Sequence, residues 1–452
     1  MKKEKYFVVG AGKSGISAMA LLKRLGIEGV LYDENENLDI EKLVEEHPEI
    51  EGMEIRNGKF QSSMLYGVTE AVLSPGVPLD SPIAVQLKKM NLPIIGEVEL
   101  AFRKGKGKLV AITGTNGKTT TTTLVGELCA LQYPETFVVG NIGYPYADKA
   151  DEMTDESVSV AEISSFMLET MDTFHANVSA ILNITPDHLN RHHTMEEYIA
   201  AKENIIKNQT KNDTIVLNYD DIILREFGED GEIEPQILWF SVKEELKNGC
   251  YYKDKKIFFK KNDLKEEVID VSDLQIIGMH NYENVCAAVC MAKAMNVPLS
   301  KIRKGLKEFK GVEHRIEFVR ECQGIRFYND SKGTNPDAAI KAVLAMDRPT
   351  ILIGGGYDKE SEYDEWIESF GDKVKKLVLI GATKKKIAKC AREHGFTNYI
   401  FCDTLEEAID ICFAEANRGD AILLSPACAS WDMFKNYEER GDLFKEHVMK
   451  LL

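Results

Sequence analysis

The sequence predicts an α/β protein built on largely parallel sheets and arranged as three successive units. Three observations carry that expectation. Short β-rich runs alternate with helical apolar patterns through almost all of the 452 residues, as βαβ units require. Two strand-to-helix turns are rich in glycine, "GAGKSG" at 10–15 and "TGTNGKTT" at 113–120. The alternation also restarts twice, after the Gly- and Lys-rich stretch at 104–108 and near Gly311.

Taken in order, "YFVVG" (6–10) is a buried strand, a glycine turn follows, and "ISAMALLKRLG" carries a helical period into the strand "GVLYDE". "EAVLSPGVP" (70–78) is a further strand ending in a Ser-Pro-Gly turn. The second unit, 96–310, opens on "KLVAITG", contains "SVSVAEISS" and "VSAILNITPDH", and includes a helix over 281–296. Residues 225–273 are charged and strand-like, with "YYKDKKIFFKK" reading as a surface hairpin. The third unit runs from "RFYNDSKGTNP" through "TILIGGGYDK", "KLVLIGATKKK" and "AILLSPACAS" to a helical end.

Composition narrows the function classes. Hydrophobic residues make up 44% and charged residues 29%, with a formal net charge of −17. That balance argues against a protein whose main task is gripping nucleic acid, which needs clustered Lys and Arg. The short basic runs "RKGKGK" (103–108), "KDKKIFFKK" (253–261) and "TKKKIAK" (383–389) read as solvated turns or helix faces. Nine cysteines form no CxxC pair, as expected of reduced, mostly buried thiols in a cytoplasmic protein. The basic start is interrupted too soon for a signal-peptide core, and no apolar run suggests membrane insertion.

The two glycine loops suit two different jobs. "GAGKSG" follows a strand, opens a helix and precedes Asp33 at the end of the next strand. Such a layout lets backbone N–H groups receive a diphosphate while the acid reaches a ribose or base. A plain tight turn has the same spacing, and a nicotinamide-dependent dehydrogenase remains open, although nothing downstream offers a hydride-transfer site. "TGTNGKTT" departs from the G-x-x-x-x-G-K-[ST] phosphate loop, because Ile112 stands where the first glycine belongs. Gly114 and Gly117 still supply flexibility, Lys118 can reach outer phosphates, and Thr119 stands where a hydroxyl meets Mg²⁺. The threonine run makes sense mainly where hydroxyls serve the helix entrance. Glu162 ends a strand, where a carboxylate can meet Mg²⁺ or simply begin a helix. His188 and His192 are four apart, but the H-E-x-x-H pattern is absent and no cysteine completes a zinc set. Lys202, on a helix, would by itself read as solvated.

"TGTNGKTT", "GNIG", "AEISSF", "NITPDHLNRH", "AAKENI", "GMHNYENV", "EHRIEFV", "YNDSKGTNP" and "SPACASWDMFKNYEERG" occur in the order of the Mur ligases. The resemblance covers essentially the whole chain, and the N-terminal glycine loop together with the C-terminal "SPACAS…FKNYEERG" block looks most like the D-glutamate-adding branch. The "DNPR" signature of the diaminopimelate- or lysine-adding branch is absent. The resemblance implies three domains: a Rossmann-like UDP-substrate domain (1–95), a P-loop ATPase-like domain (96–310) and a Rossmann-like amino-acid domain (311–452). It implies an ATP-dependent amide ligase joining D-glutamate to UDP-N-acetylmuramoyl-L-alanine through an acyl phosphate. Another Mur ligase, or a folylpolyglutamate-type ligase with a different amino acid, is the alternative.

The resemblance also assigns residues. Gly114, Thr115, Asn116, Gly117, Lys118, Thr119 and Thr120 would hold ATP phosphates. Thr119 and Glu162 would hold one Mg²⁺, with His188 and a carbamylated Lys202 around a second. Asn281 and Asn284 would contact the adenine side, Arg315 a phosphate and Asp330 the ribose. Lys332, Thr334, Lys359, Ser430 and Tyr437 would address D-glutamate or the transition state. Gly12, Lys13 and Ser14 would cradle the UDP diphosphate, with Asp33, Ser74 and Gly76 lining the uracil pocket and Asn141 near the junction. A cytoplasmic monomer is implied. Met167 stands where the family usually has glutamine, Tyr437 replaces a common phenylalanine, and Trp431 a smaller residue.

Overall fold

The computed structural model describes residues 4–229 and 233–452. They pack as two compact units, Met1–Ile269 with Glu283–Gly305, and Asp270–Tyr282 with Leu306–Leu452. Three sheets lie within them, as an α/β chain of this length requires.

The first unit carries two sheets. One is five-stranded, in the order Glu54–Asn57, Glu28–Asp33, Lys5–Val9, Glu70–Leu73 and Ile94–Gly96, parallel throughout. Side chains alternate across it with the period of two that a strand imposes. Tyr6, Val8, Leu31 and Val72 meet the buried face of helix Lys13–Arg24, whereas Phe7, Val9, Val30 and Leu73 meet helix Pro82–Lys89. The second sheet is nine-stranded. At its centre Lys108–Thr113 lies between Val178–Ile181 and Val158–Glu162, all parallel, with Thr136–Gly140 at one edge. The expected hairpin is present at the other end, Gly249–Lys253 pairing antiparallel with Lys256–Lys261. Its inward side chains Ile257 and Phe259 are buried.

One continuous apolar core runs from the first sheet into the second. Helix Glu97–Lys104 stands at the join, and its acids corrects a sequence-level expectation for the basic run that follows. Glu99 accepts the backbone N–H groups of Asp172, Thr173 and Phe174 and the Thr173 hydroxyl. Arg103, expected on a solvated turn, is bonded to Glu99, Glu70 and Asp172. A guanidinium can satisfy several carboxylates at once, so the charge is spent inside the fold.

The second unit holds a six-stranded sheet in the order Glu317–Cys322, Ile325–Asn329, Ala421–Leu424, Thr350–Gly354, Val374–Leu379 and Tyr399–Phe401. Its first pair is antiparallel and the others are parallel. Helices Pro336–Ala345, Asp364–Glu368 and Lys384–Glu393 share one core, Leu405–Glu415 and Tyr437–Lys450 the other. All nine cysteines are unpaired and all but Cys390 are buried. Among the described residues no helix is long and apolar enough to cross a membrane.

Candidate active site

In the second sheet the loops that matter leave the carboxyl ends of adjacent parallel strands. The chain departs from Lys108–Thr113 toward one edge and later returns to its opposite side at Val178–Ile181. Such a reversal opens a crevice in which ligands sit on α/β sheets. "TGTNGKTT" occupies it. Gly117 caps helix Lys118–Ala130 in the left-handed region, φ 81°. A Cβ there would fall 2.4 Å from Asn284 Oδ1. The Lys118 ammonium reaches back across the loop and donates to the carbonyls of Gly114 (2.8 Å) and Thr115 (2.9 Å). Asn183 buckles the loop from the next strand, its Oδ1 accepting Asn116 N–H and its carbonyl accepting Thr115 N–H.

The threonine run divides its labour differently from the expectation that it serves mainly the helix entrance. Thr119 is half-buried at the first turn, while Thr120, Thr121 and Thr122 are buried in the helix interior. Thr121 Oγ1 donates to Asn284 Oδ1 at 3.2 Å, and Thr123 Oγ1 donates back to the Thr119 carbonyl. Small β-branched residues let this helix pack closely on the strands beside it.

Glu162 ends the neighbouring strand and is 1% exposed. Its Oε1 accepts the Asn141 amide at 2.7 Å, but its Oε2 is buried without a partner. A buried carboxylate oxygen left unpaired is costly, and a cation is the partner that removes the cost. The "GNIG" turn is pressed against this residue: Asn141 N–H donates to the Glu162 carbonyl, and a Cβ on Gly140 would lie 2.3 Å from that oxygen.

Lys202, expected to look solvated, is 1% exposed. Helix Met195–Glu203, capped by Thr194, carries it inward, and its ammonium lies 4.6 Å from the Tyr198 ring centroid. Burial, with the nearby charge of Lys118, pulls it down to about 7. A lysine so placed is neutral enough at ordinary pH to act as a nucleophile. Tyr198 in turn shares a hydrogen bond with the Thr115 hydroxyl, which links this helix to the "TGTNGKTT" loop. His188 is half exposed in left-handed backbone, φ 54°, beside Asp187 and the Phe166 ring. His192 is buried between Phe166 and Tyr198 with Ser165 Oγ at 2.8 Å.

In the first sheet, Gly12 caps helix Lys13–Arg24 and leaves Lys13 exposed and Ser14 half-buried on its first turn. Asp33 accepts Ala11 N–H at 2.8 Å and Asn35 N–H at 2.9 Å, so its carboxylate shapes the loop. Ser74 donates to the Gly10 carbonyl, and Gly76 stands in open space. Arg191 joins this loop to the second sheet: its guanidinium donates to the carbonyls of Pro75 and Val77 and to Glu169, over the Phe166 ring. Met167 is buried in the apolar core, where a glutamine amide would need a partner.

The second unit brings together two smaller groups. Asp330 is buried, accepting Ser425 Oγ–H and Ile316 N–H, and burial pushes its carboxyl up to about 7. Arg315 is close enough to act on that charge. Lys332 lies over the Tyr437 ring at 5.5 Å, and Tyr437 meets His314 edge-on. Thr334 N–H donates to the Lys332 carbonyl. Lys359 lies over Trp431 at 5.2 Å, and Ser430 is buried in the same loop. Arg440 anchors both loops from beneath, donating to Ser331 Oγ, the Ser331 carbonyl and the Cys428 carbonyl. Asn281, although three residues from Asn284, belongs to this unit and caps its own turn through the Ile277 carbonyl.

Asn183, Arg191 and Arg440 were not singled out from sequence, although each lies within a motif that was. Their partners lie mostly tens of residues or more away along the chain, which leaves no local signature.

The chain matches the Mur ligase MurD-like N-terminal domain over residues 4–96, the Mur ligase middle domain over 112–292 and the Mur ligase glutamate ligase domain over 314–428. It is 54% identical to the UDP-N-acetylmuramoylalanine–D-glutamate ligase of Lachnoclostridium phytofermentans, covering 99% of this chain and 98% of that protein. It is 51% identical to the ligase of the same name from Lachnospira eligens, over the full length of both. Among solved structures, it is similar to the UDP-N-acetylmuramate–alanine ligase MurC of Thermotoga maritima. That match has a TM-score of 0.59 and 19% identity, covering 98% and 99% of the two chains. MurF ligase of Thermotoga maritima in complex with ADP matches with a TM-score of 0.57 and 18% identity, covering 94% and 95%.

Proposed function

This chain belongs to the Mur ligase family, and on that premise we propose that it joins D-glutamate to UDP-N-acetylmuramoyl-L-alanine at the expense of ATP, in peptidoglycan precursor synthesis. The observation that carries the reading is the unpaired buried Oε2 of Glu162 at the end of the strand adjoining the phosphate loop. It supports a cation held beside bound phosphate, as ATP-dependent carboxylate activation needs. The sheet orders support a Rossmann-like domain over 1–95, a P-loop-like domain over 96–310 and a Rossmann-like domain over 311–452.

In this reading the loop N–H groups from Gly114 to Thr120 and the Lys118 ammonium receive the ATP phosphates. Lys118 exchanges its two carbonyl partners for phosphate oxygens. Thr119 and Glu162 hold one Mg²⁺, and His188 with Lys202 a second; bound Mg²⁺ neutralises charge so that a carboxylate can approach the triphosphate. Lys202 fits the role only after reaction with CO₂, which replaces a cation by a carbamate oxygen donor, and its low proton affinity favours that reaction. Asn281 and Asn284 flank the adenine, Arg315 a phosphate and Asp330 the ribose.

Gly12, Lys13 and Ser14 receive the UDP diphosphate at a helix N-terminus, with Asp33, Ser74 and Gly76 around the uracil and Asn141 near the substrate's peptide end. The L-alanine carboxylate attacks the γ-phosphate, ADP leaves, and the D-glutamate amine displaces phosphate from the acyl phosphate. Lys332, Thr334, Lys359, Ser430 and Tyr437 address the two carboxylates of D-glutamate and the charge that builds at the acyl carbon. The enzyme works as a cytoplasmic monomer in this reading.

The test is phosphate release from ATP and Mg²⁺ with UDP-N-acetylmuramoyl-L-alanine plus D-glutamate, L-glutamate or neither, with Lys118→Ala as control. Release that requires D-glutamate, with a product heavier by one glutamyl residue, is the expected result. Release only with another amino acid would move the chain to a sister ligase, and none from folded protein would refute the function.

A further inference from the structure

In the second unit, away from the residues assigned above, two helices present donors to one another. Asp364 and Glu368 are four apart on helix Asp364–Glu368. Cys390 and His394 are four apart at the end of helix Lys384–Glu393, where His394 is the C-cap. Four-residue spacing puts each pair on one side of its helix. The helices share a core that includes Trp366, Ile367, Ile387 and Ala391, so the pairs face each other on a rigid base.

Donor atoms of Asp364, Cys390 and His394 lie within 4.8 Å of one another. His394 Nε2 is 2.8 Å from Asp364 Oδ1, and its Nδ1 is 3.3 Å from Glu368 Oε1. With metal–ligand bonds of about 2.0–2.3 Å, the corners of a tetrahedral zinc site stand roughly 3.3–3.8 Å apart. The 2.8 Å between Asp364 Oδ1 and His394 Nε2 would widen by about 0.5–1 Å to reach that spacing.

We propose that Asp364, Cys390 and His394 form a binding site for a zinc-class transition metal, with Glu368 as the carboxylate that orients His394. A thiol, an imidazole and one carboxylate select borderline and soft divalent metals over Mg²⁺ or Ca²⁺. Three protein ligands leave a fourth position for water. Glu368 on the far ring nitrogen fixes the tautomer that turns Nε2 toward the metal. Among the described residues, Asp364 and Glu368 pair with no lysine or arginine, so no ammonium or guanidinium must be displaced. The contrast is the group Glu313, His314 and Asp442, where the Lys445 ammonium already pairs with Glu313 and Asp442. The metal would clip together two helices of one core, the first of which follows the loop bearing Lys359.

The full-length protein, treated with chelator and desalted, is titrated with Co²⁺ alone and then with Zn²⁺ against a chromophoric chelator. The expected result is one equivalent bound, with a thiolate-to-cobalt charge-transfer band and tetrahedral visible bands. Every other cysteine is buried, so the thiolate band reports on Cys390. Cys390→Ser should abolish the band, His394→Gln should weaken binding at least about 100-fold, and Glu368→Gln about 10–100-fold while leaving the band in place. Circular dichroism of each variant establishes that it is folded. No stoichiometric binding, binding without a thiolate band, or a band that survives Cys390→Ser would each overturn the proposal.

Discussion

Gly117→Ala tests how the "TGTNGKTT" loop is held. Gly117 sits at φ 81°, where an L-residue is strained. Moving alanine into that region costs about 1–2 kcal/mol. The added Cβ would also meet Asn284 Oδ1 at 2.4 Å, closer than any real contact allows. Asn284 is the end of a side chain and can turn away, but it then gives up the Thr121 hydroxyl that now donates to it. That loss adds about 1 kcal/mol.

The single substitution should therefore cost roughly 2–3 kcal/mol, divided between lower stability of the first unit and weaker ATP binding. Asn284→Ala alone should cost about 1 kcal/mol, because it removes the bond and not the backbone strain. In the double variant the clash is gone, so the two costs should fall short of their sum by about 1 kcal/mol, a factor of about 5 in an equilibrium constant. Urea unfolding and fluorescence-detected ATP titration of all four proteins measure both quantities. Additivity within about 0.3 kcal/mol would refute the steric coupling of loop to helix.

Further outcomes follow from other sites. Glu162→Gln, which keeps an acceptor for Asn141 but loses the charge, should lower kcat at least about 100-fold and raise the Mg²⁺ concentration needed for half activity; unchanged Mg²⁺ dependence would remove Glu162 from the metal. Arg191→Ala, which frees the carbonyls of Pro75 and Val77, should raise KM for the UDP substrate several-fold more than KM for ATP, as initial-rate kinetics would show. Glu97 is buried and burial pushes its carboxyl up to about 7 from 4.5, so the folded state holds a proton that the unfolded chain releases. Stability on this account is full below pH 4.5 and falls as pH rises toward 7, by at most about 3 kcal/mol, and then levels off. Glu97→Gln should flatten that slope and be the more stable protein at pH 8, as denaturant midpoints across pH would test.

Several features were determined by the sequence alone. Alternating strand and helix periods announce parallel α/β sheets, and the strand–glycine loop–helix order places both glycine-rich turns, because these signals come from residues adjacent in the chain. The ordered motifs point to a ligase that activates a carboxylate. The tertiary structure decided which polar groups are buried and what they face. Lys202 has the sequence context of a solvated helix lysine until helix Met195–Glu203 turns it inward over Tyr198. Glu162 is one more strand-end acid until its Oε2 is found without a partner. Thr120 to Thr122 are hydroxyl residues by sequence and core residues by packing. Arg103 is part of a basic run by sequence and the centre of a three-acid network in the fold. The division has a physical reason. Periodicity and turn chemistry act over a few residues, whereas desolvation and charge pairing depend on groups brought together from tens to hundreds of residues apart.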